Sequence, residues 1–347
     1  MRPFASRAHA GIRSLALALS AGLISVIASQ SSTAAERIDD FGDNPGDLLM
    51  YLHRPADAAA GLPLVVALHG CQQSASVFDD ETGLVALADE IPFLLLLPEQ
   101  QEANMFNSCF RWYDTDDNQP GLGESASILS MVDFAIRTEG VDPDEVYVLG
   151  LSAGGAMTAV LMANYPDRFA GGAILAGLPY GCNRPVNAFD VGWYWRHTFG
   201  LDGIDASYAC GIVVSSLTDR DPEDWRRFVL DTLPAEPAQW PPISLWQGTG
   251  DETVDPDNLQ ELTEQWTALH GIDTVADSRE EMGGIVREVY SGAAGDPLVE
   301  TWSLDGFGHA VPVDPDGEPE TCGLEGAFIL DADICAVRRI AEFWQLR

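Results

Sequence analysis

Short apolar runs of strand length alternate with helical repeats along residues 36–347, with no long linker and no internal repeat. A first strand is expected at 48–52. A wholly apolar run at 64–68 follows and ends in His69-Gly70-Cys71, and another spans 93–97, where Pro98 should stop it. Ile128, Met131, Val132, Ala135 and Ile136 recur at helical spacing, and Gly140 is placed to end that helix. Next come a strand at 146–149, a helix at 154–165 and a strand at 172–175. Further on, a strand at 243–247, a helix at 258–269, a strand at 298–304 and a last helix near 332–345 restore the rhythm. Apolar strands alternating with amphipathic helices predict a mainly parallel sheet with helices on both faces. Residues 181–240 break the pattern. They carry Trp193, Trp195, Trp225, Cys182 and Cys210 and are read as an insertion over the sheet.

Composition changes the picture at three points. Arg2, Arg7 and Arg13 precede an apolar, small-residue stretch at 14–28, and Ser32-Thr33-Ala34-Ala35 follows. This is the pattern of a secretory signal, with cleavage expected near Ala34 or Ala35. The apolar stretch falls short of the roughly 20 residues of a membrane span. Residues 1–35 are thus expected to be a signal peptide, 36–347 a single domain, and the protein secreted, extracellular or periplasmic. Secondly, the net charge is −36, and all 18 basic residues are Arg. Such a surface repels nucleic acid and anionic lipid, so neither is expected as a partner, and it suits a neutral substrate. Thirdly, six cysteines in an exported chain, none in a C-x-x-C pair, point to disulfides; Cys322 and Cys335 are close enough in sequence to clip one loop.

Gly150-Leu151-Ser152-Ala153-Gly154 fits G-x-S-x-G, and its context is what counts. A predicted strand runs directly into it and a predicted helix starts directly after it, as a nucleophile elbow requires. The turn is tight enough that the flanking residues must be small, hence Gly150, Gly154 and Gly155. A serine hydroxyl needs a base to take its proton. Of the six histidines, His309 follows a strand on a Gly306-Phe307-Gly308 loop, where this fold puts its base, whereas His270 ends a helix where a cation is favoured. The carboxylate that orients the base should lie between Ser152 and His309. Asp251 is the first one past the 243–247 strand; Asp255 is its rival, and Asp257 or Asn258 is expected to cap the next helix. Strand, elbow, acid and base in this order predict the α/β-hydrolase fold.

The N–H groups of Cys71 and Ala153 are the expected oxyanion hole, with Gly70 allowing an unusual backbone angle and His69 buttressing the loop. No metal site or cofactor is expected. Asp114-Thr115-Asp116-Asp117-Asn118 begins like a calcium loop, but Gln119 stands where glycine is needed, so a solvated turn is the reading.

Several longer stretches carry a family resemblance: residues 63–73, Leu97-Pro98-Glu99-Gln100, Cys109-Phe110-Arg111-Trp112, residues 150–157 and 176–182, Gly248-Thr249-Gly250-Asp251, and Gly306-Phe307-Gly308-His309. Over about residues 45–312 the chain resembles the poly(3-hydroxybutyrate) depolymerase family of secreted esterases, which also includes feruloyl and acetyl-xylan esterases. The resemblance implies the triad Ser152, Asp251 and His309 and a Cys71–Cys109 bridge, leaving Cys182–Cys210 and Cys322–Cys335 as the other pairs. It also implies that Trp112 and Tyr180 lie near the acyl site. Arg111 departs from the family pattern, which favours a neutral polar residue there. Many polymer-degrading members carry a linker and a substrate-binding domain, whereas this chain ends with its last catalytic-domain helix; soluble or amorphous esters are the expected substrates.

The leading reading is a monomeric serine carboxylic-ester hydrolase acting on 3-hydroxyalkanoate polyester or oligomers, with a feruloyl or acetyl-xylan esterase as alternative. A catalytically dead binding protein would not need all three triad residues. The charge yields a test independent of the substrate. With 54 acidic residues against 18 basic, most carboxylates repel one another in the folded state. The Debye length falls from about 10 Å at 0.1 M to about 3 Å at 1 M. The melting temperature should therefore rise between low and molar NaCl, and a flat or falling trend in calorimetry would show that self-repulsion does not limit stability.

Overall fold

The computed structural model describes residues 35–56, 60–184, 210–211, 219–317 and 321–346, all within one compact unit. Residues 1–34, on which the expected signal peptide falls, and Trp193, Trp195 and His197 lie outside the described residues. In chain order the elements are β1 (Glu36–Ile38), β2 (Leu49–His53), β3 (Leu64–Leu68), α1 (Ala75–Glu81), α2 (Leu84–Glu90), β4 (Leu94–Glu99), α3 (Gly123–Phe134), β5 (Val146–Leu151), α4 (Ala153–Asn164), β6 (Gly171–Leu175), α5 (Pro222–Leu230), β7 (Ile243–Gly248), α6 (Asn258–His270), β8 (Ser278–Met282), β9 (Ile285–Ser291), β10 (Pro297–Leu304), β11 (Val311–Val313), β12 (Ile329–Asp331) and α7 (Ala336–Phe343).

One ten-stranded sheet has the order β1-β2-β4-β3-β5-β6-β7-β10-β9-β8. Its six central strands, β4 to β10 in that order, are parallel; β1 and β2 at one side and β9 and β8 at the other are antiparallel. The central strands are apolar on both faces because both faces are covered. Alternate side chains feed two cores. Val66, Leu68 and Val148 pack with Met131, Met157, Val160 and Trp266 from α3, α4 and α6. Val65, Ala67 and Leu149 pack with Phe78, Leu87 and Ile340 from α1, α2 and α7. Parallel strands so sandwiched send all their carboxyl ends to one edge, which is where such sheets place ligands.

Several expected boundaries move, each for a local reason. Pro98 does not stop β4. The β3 partner ends at Leu96, so the ring meets no ladder on that side, while Met50 and Leu49 of β2 continue to pair with Pro98 and Glu99. The stop of α3 at Gly140, whose φ is 73°, is the expected one, but the last turn, Ala135–Glu139, is π-helical. α7 begins at Ala336 rather than near 332, because Asp333 has φ 53° and Cys335 is extended. The exposed β8 and the Gly283-Gly284 hairpin that joins it to β9 were not anticipated.

Disulfides join Cys71 to Cys109, Cys182 to Cys210 and Cys322 to Cys335. Among the described residues no helix is long and apolar enough to cross a membrane. Free-thiol titration of the denatured, unreduced protein should read near zero; two or more thiols per chain would contradict complete pairing.

Candidate active site

Ser152 sits between β5 and α4 with φ 56° and ψ −118°. This strained conformation costs on the order of 1–3 kcal/mol and persists only where its surroundings enforce it. Here the Ser152 N–H donates to Leu175 O at 2.9 Å. A Cβ on Gly150 would come within 2.4 Å of Gly154 backbone, and one on Gly154 within 2.2 Å of Leu68 O. The expectation that crowding demands glycine at these positions therefore has a direct steric cause.

His309 and Asp251 stand on loops that leave β10 and β7. Thr249 N–H donates to Leu304 O and Gly250 N–H to Phe307 O, both at 2.9 Å, so the two loops are laced together. His309 Nδ1 then lies 2.7 Å from Asp251 Oδ2. The same oxygen accepts Gln247 Nε2 at 3.0 Å, while Oδ1 accepts the N–H groups of Thr253 and Val254 at 2.8 and 2.9 Å. Burial of Asp251 favours its neutral acid, but the His309 bond and the two backbone donors outweigh it, and the pKa is lowered. A buried carboxylate holding four donors is an anion poised to orient an imidazole and to stabilise its protonated form. Gln247 is a member of this arrangement that sequence reasoning missed. Its position one residue before Gly248, at the end of β7, was the available signal.

Asp255 does not approach His309. Its Oδ1 accepts the Asp257 N–H at 3.0 Å, and Asp257 occupies the α6 cap position without a side-chain cap bond. The other described histidines are accounted for. His53 Nε2 lies 3.0 Å from Asp89 Oδ1. His270 does end α6, but burial pushes its pKa down to about 4, so it carries no cation there. No hydrogen bond joins Ser152 Oγ to His309 in this structure; such bonds are often long until substrate binds.

The β3 loop supplies the remaining groups. His69 is fully buried, and burial lowers its pKa to about 4. Its Nε2 accepts the Gln100 N–H at 3.1 Å, which leaves Nδ1 to donate to Gly70 O at 2.7 Å. A neutral imidazole so engaged buttresses the loop and is unsuited to act as a second base. Gly70, against expectation, does not adopt positive φ; that role falls to Gln72, at 64°. Space at position 70 is tight instead, since a Cβ would meet Gln73 Oε1 at 3.0 Å and Leu151 Cδ2 at 3.3 Å, so both side chains would have to shift. Cys71 is fixed from both sides, by its bridge to Cys109 and by the Gln72 N–H donating to Asn107 O at 2.7 Å. Among the described residues nothing accepts a hydrogen bond from the N–H of Cys71 or of Ala153.

Trp112 and Tyr180 are both buried in the core on the α4 side of the sheet. Tyr180 is pinned by Gln265 Oε1 on its N–H at 2.9 Å and by Arg184 on its hydroxyl at 2.8 Å. Arg111 is taken up by Asp117, at 2.9 Å, and Asp114. The 114–118 segment is a turn, as expected from sequence, and is solvated at Thr115 and Asp116 but not throughout. Asp117 and Asn118 are buried, and Asn118 Nδ2 donates to Trp112 O at 2.8 Å. Among the described residues one carboxylate group, Asp314, Asp331 and Asp333, brings an oxygen from each within 4.8 Å of the others. Desolvation and the charges of Asp333 and Asp331 raise the Asp314 pKa, and an exposed acidic group of this kind defines no site by itself.

The strand order and the strained serine turn define an α/β-hydrolase. An acetyl xylan esterase from Aspergillus awamori shares the fold, with a TM-score of 0.70 at 21% identity, covering 91% of this chain and 100% of that one. The sequence profile described as Esterase PHB depolymerase matches residues 48–208. Poly(3-hydroxyalkanoate) depolymerase C of Paucimonas lemoignei is 38% identical over 328 residues, covering 94% of this chain and 74% of that protein. Feruloyl esterase B of Talaromyces funiculosus is 30% identical over 296 residues, covering 85% and 77%. The chain belongs to the PHB depolymerase esterase family, and it is a carboxylic-ester hydrolase.

The contrast between the two aspartates makes a prediction. Asp251→Asn should cost about 10⁴-fold in kcat, because a wrongly held imidazole tautomer cannot accept the serine proton. Asp255→Asn should cost little. Steady-state kinetics on a short soluble ester would decide, and the opposite ranking would move the orienting role to Asp255.

Proposed function

We propose that this protein is a secreted serine hydrolase that cleaves 3-hydroxyalkanoate polyester or its oligomers through an acyl-enzyme on Ser152. The observation that carries the mechanism is the pairing of a sterically enforced serine turn with a histidine held 2.7 Å from a four-fold hydrogen-bonded carboxylate. In the reaction His309 Nε2 takes the hydroxyl proton as Ser152 Oγ attacks the ester carbonyl. The tetrahedral oxyanion accepts the N–H groups of Cys71 and Ala153. His309 passes its proton to the departing alcohol, the C–O bond breaks, and the acyl-enzyme remains. Water, deprotonated by the same imidazole, then releases the hydroxy acid and restores Ser152. Asp251 stays ionised throughout and stabilises the imidazolium. No cofactor enters these steps. Residues 1–35 act as the export signal, 36–347 as a monomeric catalytic domain with the 181–240 insertion over the site, and Trp112 and Tyr180 back the acyl pocket.

The substrate assignment rests on the 38% identity to a poly(3-hydroxyalkanoate) depolymerase across 94% of the chain. The 30% identity to a feruloyl esterase and to an acetylxylan esterase from Coprinopsis cinerea supports cell-wall ester hydrolysis as the second reading. Hydroxybutyrate oligomers, amorphous polymer, methyl ferulate and acetylated xylan compared side by side will separate the two; oligomers or amorphous polymer should give the highest kcat/KM. Ser152→Ala should fold normally and lose about 10⁶-fold in kcat. A variant that keeps a tenth of the wild-type rate would remove Ser152 from the nucleophile's role.

A further inference from the structure

The segment that follows His309 leaves the site and comes back to it. β11 starts two residues after His309 and pairs in parallel with β12, matching Val311 to Ile329. Between them, Cys322, bridged to Cys335 beyond β12, and the Leu324 N–H bond to Glu81 O at 2.8 Å fix a strap against the end of α1. The strap presents Phe328, at φ 65°, edge-on to the His309 ring with centroids 6.0 Å apart. Val311 N–H donates to Phe328 O at 2.9 Å, so the strap and the residues just after His309 are tied directly.

One side chain joins this strap to the β3 loop. Gln73 is buried, with 6% exposure. Its Oε1 accepts the Gly70 N–H at 2.8 Å and its Nε2 donates to Ala327 O at 3.0 Å, next to Phe328. Its own N–H donates to Gly70 O at 3.3 Å. A carboxamide can accept from one backbone group and donate to another across one planar unit, as the neutral His69 imidazole does next to it. Both ends are largely shielded from water, where an unmatched partner is costly.

We infer that Gln73 is a positioning residue that couples the oxyanion loop to the strap over the base, so that the Cys71 N–H and the His309 ring are held in register with each other. The inference rests on the triad and oxyanion assignment proposed above. Gln73 makes its hydrogen bonds to Gly70 and Ala327 and to none of Ser152, Asp251 or His309. Its effect should therefore appear in transition-state stabilisation and not in substrate binding.

The test uses the purified mature protein with a short neutral ester and with butylboronic acid, which forms a tetrahedral adduct on a nucleophilic serine. Gln73→Met removes both bonds. It should lower kcat about 10- to 100-fold, less than the roughly 10²- to 10³-fold of losing an oxyanion donor itself, with KM moving less than about twofold. Boronate affinity should fall in step with kcat/KM. Gln73→Glu keeps the acceptor for Gly70 and loses the donor to Ala327, so its loss should be intermediate. This near-isosteric variant also serves if Gln73→Met does not fold. The Cys322→Ser/Cys335→Ser double variant should lose kcat as well, and combining it with Gln73→Met should cost less than the product of the two losses. Wild-type kcat and boronate affinity in Gln73→Met would overturn the inference, as would full multiplicativity of the two losses. Labelling of Ser152 by an alkyl phosphonate, read by peptide mass, separates the two levels. An unlabelled Ser152 defeats the triad assignment itself, whereas a labelled Ser152 with undisturbed Gln73 variants defeats only the coupling.

Discussion

Leu68, at the end of β3, presents its carbonyl to a point 2.2 Å from where a side chain on Gly154 would begin. That crowding governs the site. A helix can press so closely on two parallel strands only if its first turn is built of small residues, here Ala153, Gly154, Gly155 and Ala156, and the serine before it must then take up a positive-φ backbone that a looser chain would abandon. The cost is local. The restraint is spread over the Leu175 hydrogen bond, the flanking parallel strands and two cores that grip the sheet from both faces. The serine's direction is thus set by backbone packing and owes little to its own contacts.

Against this rigid point the other groups are brought in by loops, and loops need fastening. The β7 and β10 loops fasten each other by backbone bonds; Asp251 is then fastened by four donors, and His309 by Asp251. The β3 loop is fastened by a disulfide, a neutral buried histidine and Gln73. Gln247 Oε1 is buried without a partner, but the carboxylate of Asp251 and both ring nitrogens of His69 are matched by identifiable partners. This is what allows functional groups to stand at a sheet edge without the loops relaxing away.

What was legible in the sequence divides along the same line. The elbow could be read because strand, crowded turn and helix are contiguous, and Gly150, Ser152 and Gly154 carry the constraint in their own identities. The buried strands could be read from unbroken runs such as Leu64–Leu68, whose composition is dictated by burial on both faces. β8 could not, because all five of its residues are exposed and its polar sequence has no face to declare. Only Gly283 and Gly284, at φ 56° and 91°, signalled the hairpin that pairs it with β9. The role of Gly70 was misjudged because sequence names a glycine without saying whether it is there for its dihedral or for its missing Cβ. Gln247 was overlooked because its one mark in the sequence, a place before Gly248 at a strand end, does not by itself say that the amide will reach a carboxylate four positions later.

The same division explains how one family can include proteins named for polyalkanoate, feruloyl and acetylxylan esters. The crowded turn and the laced loops involve backbone atoms and a few small or polar side chains, all turned toward one another. None of them needs to know the length or chemistry of the acyl chain. Segments outside the sheet are under no such constraint, although the described part of 181–240 is itself tied to the domain: Asp255 N–H donates to Gly211 O at 2.8 Å, Asn183 Nδ2 to Tyr113 O at 3.0 Å and Trp225 Nε1 to Glu261 Oε2 at 2.7 Å. The net charge of −36 is compatible with this arrangement because the anion at the centre, Asp251, is buried and matched by four donors. The acidic surface outside is screened by water and ions over a distance of roughly 10 Å or less. A neutral ester therefore approaches without electrostatic penalty, while an anionic polymer would be held off by the surface before it reached Ser152.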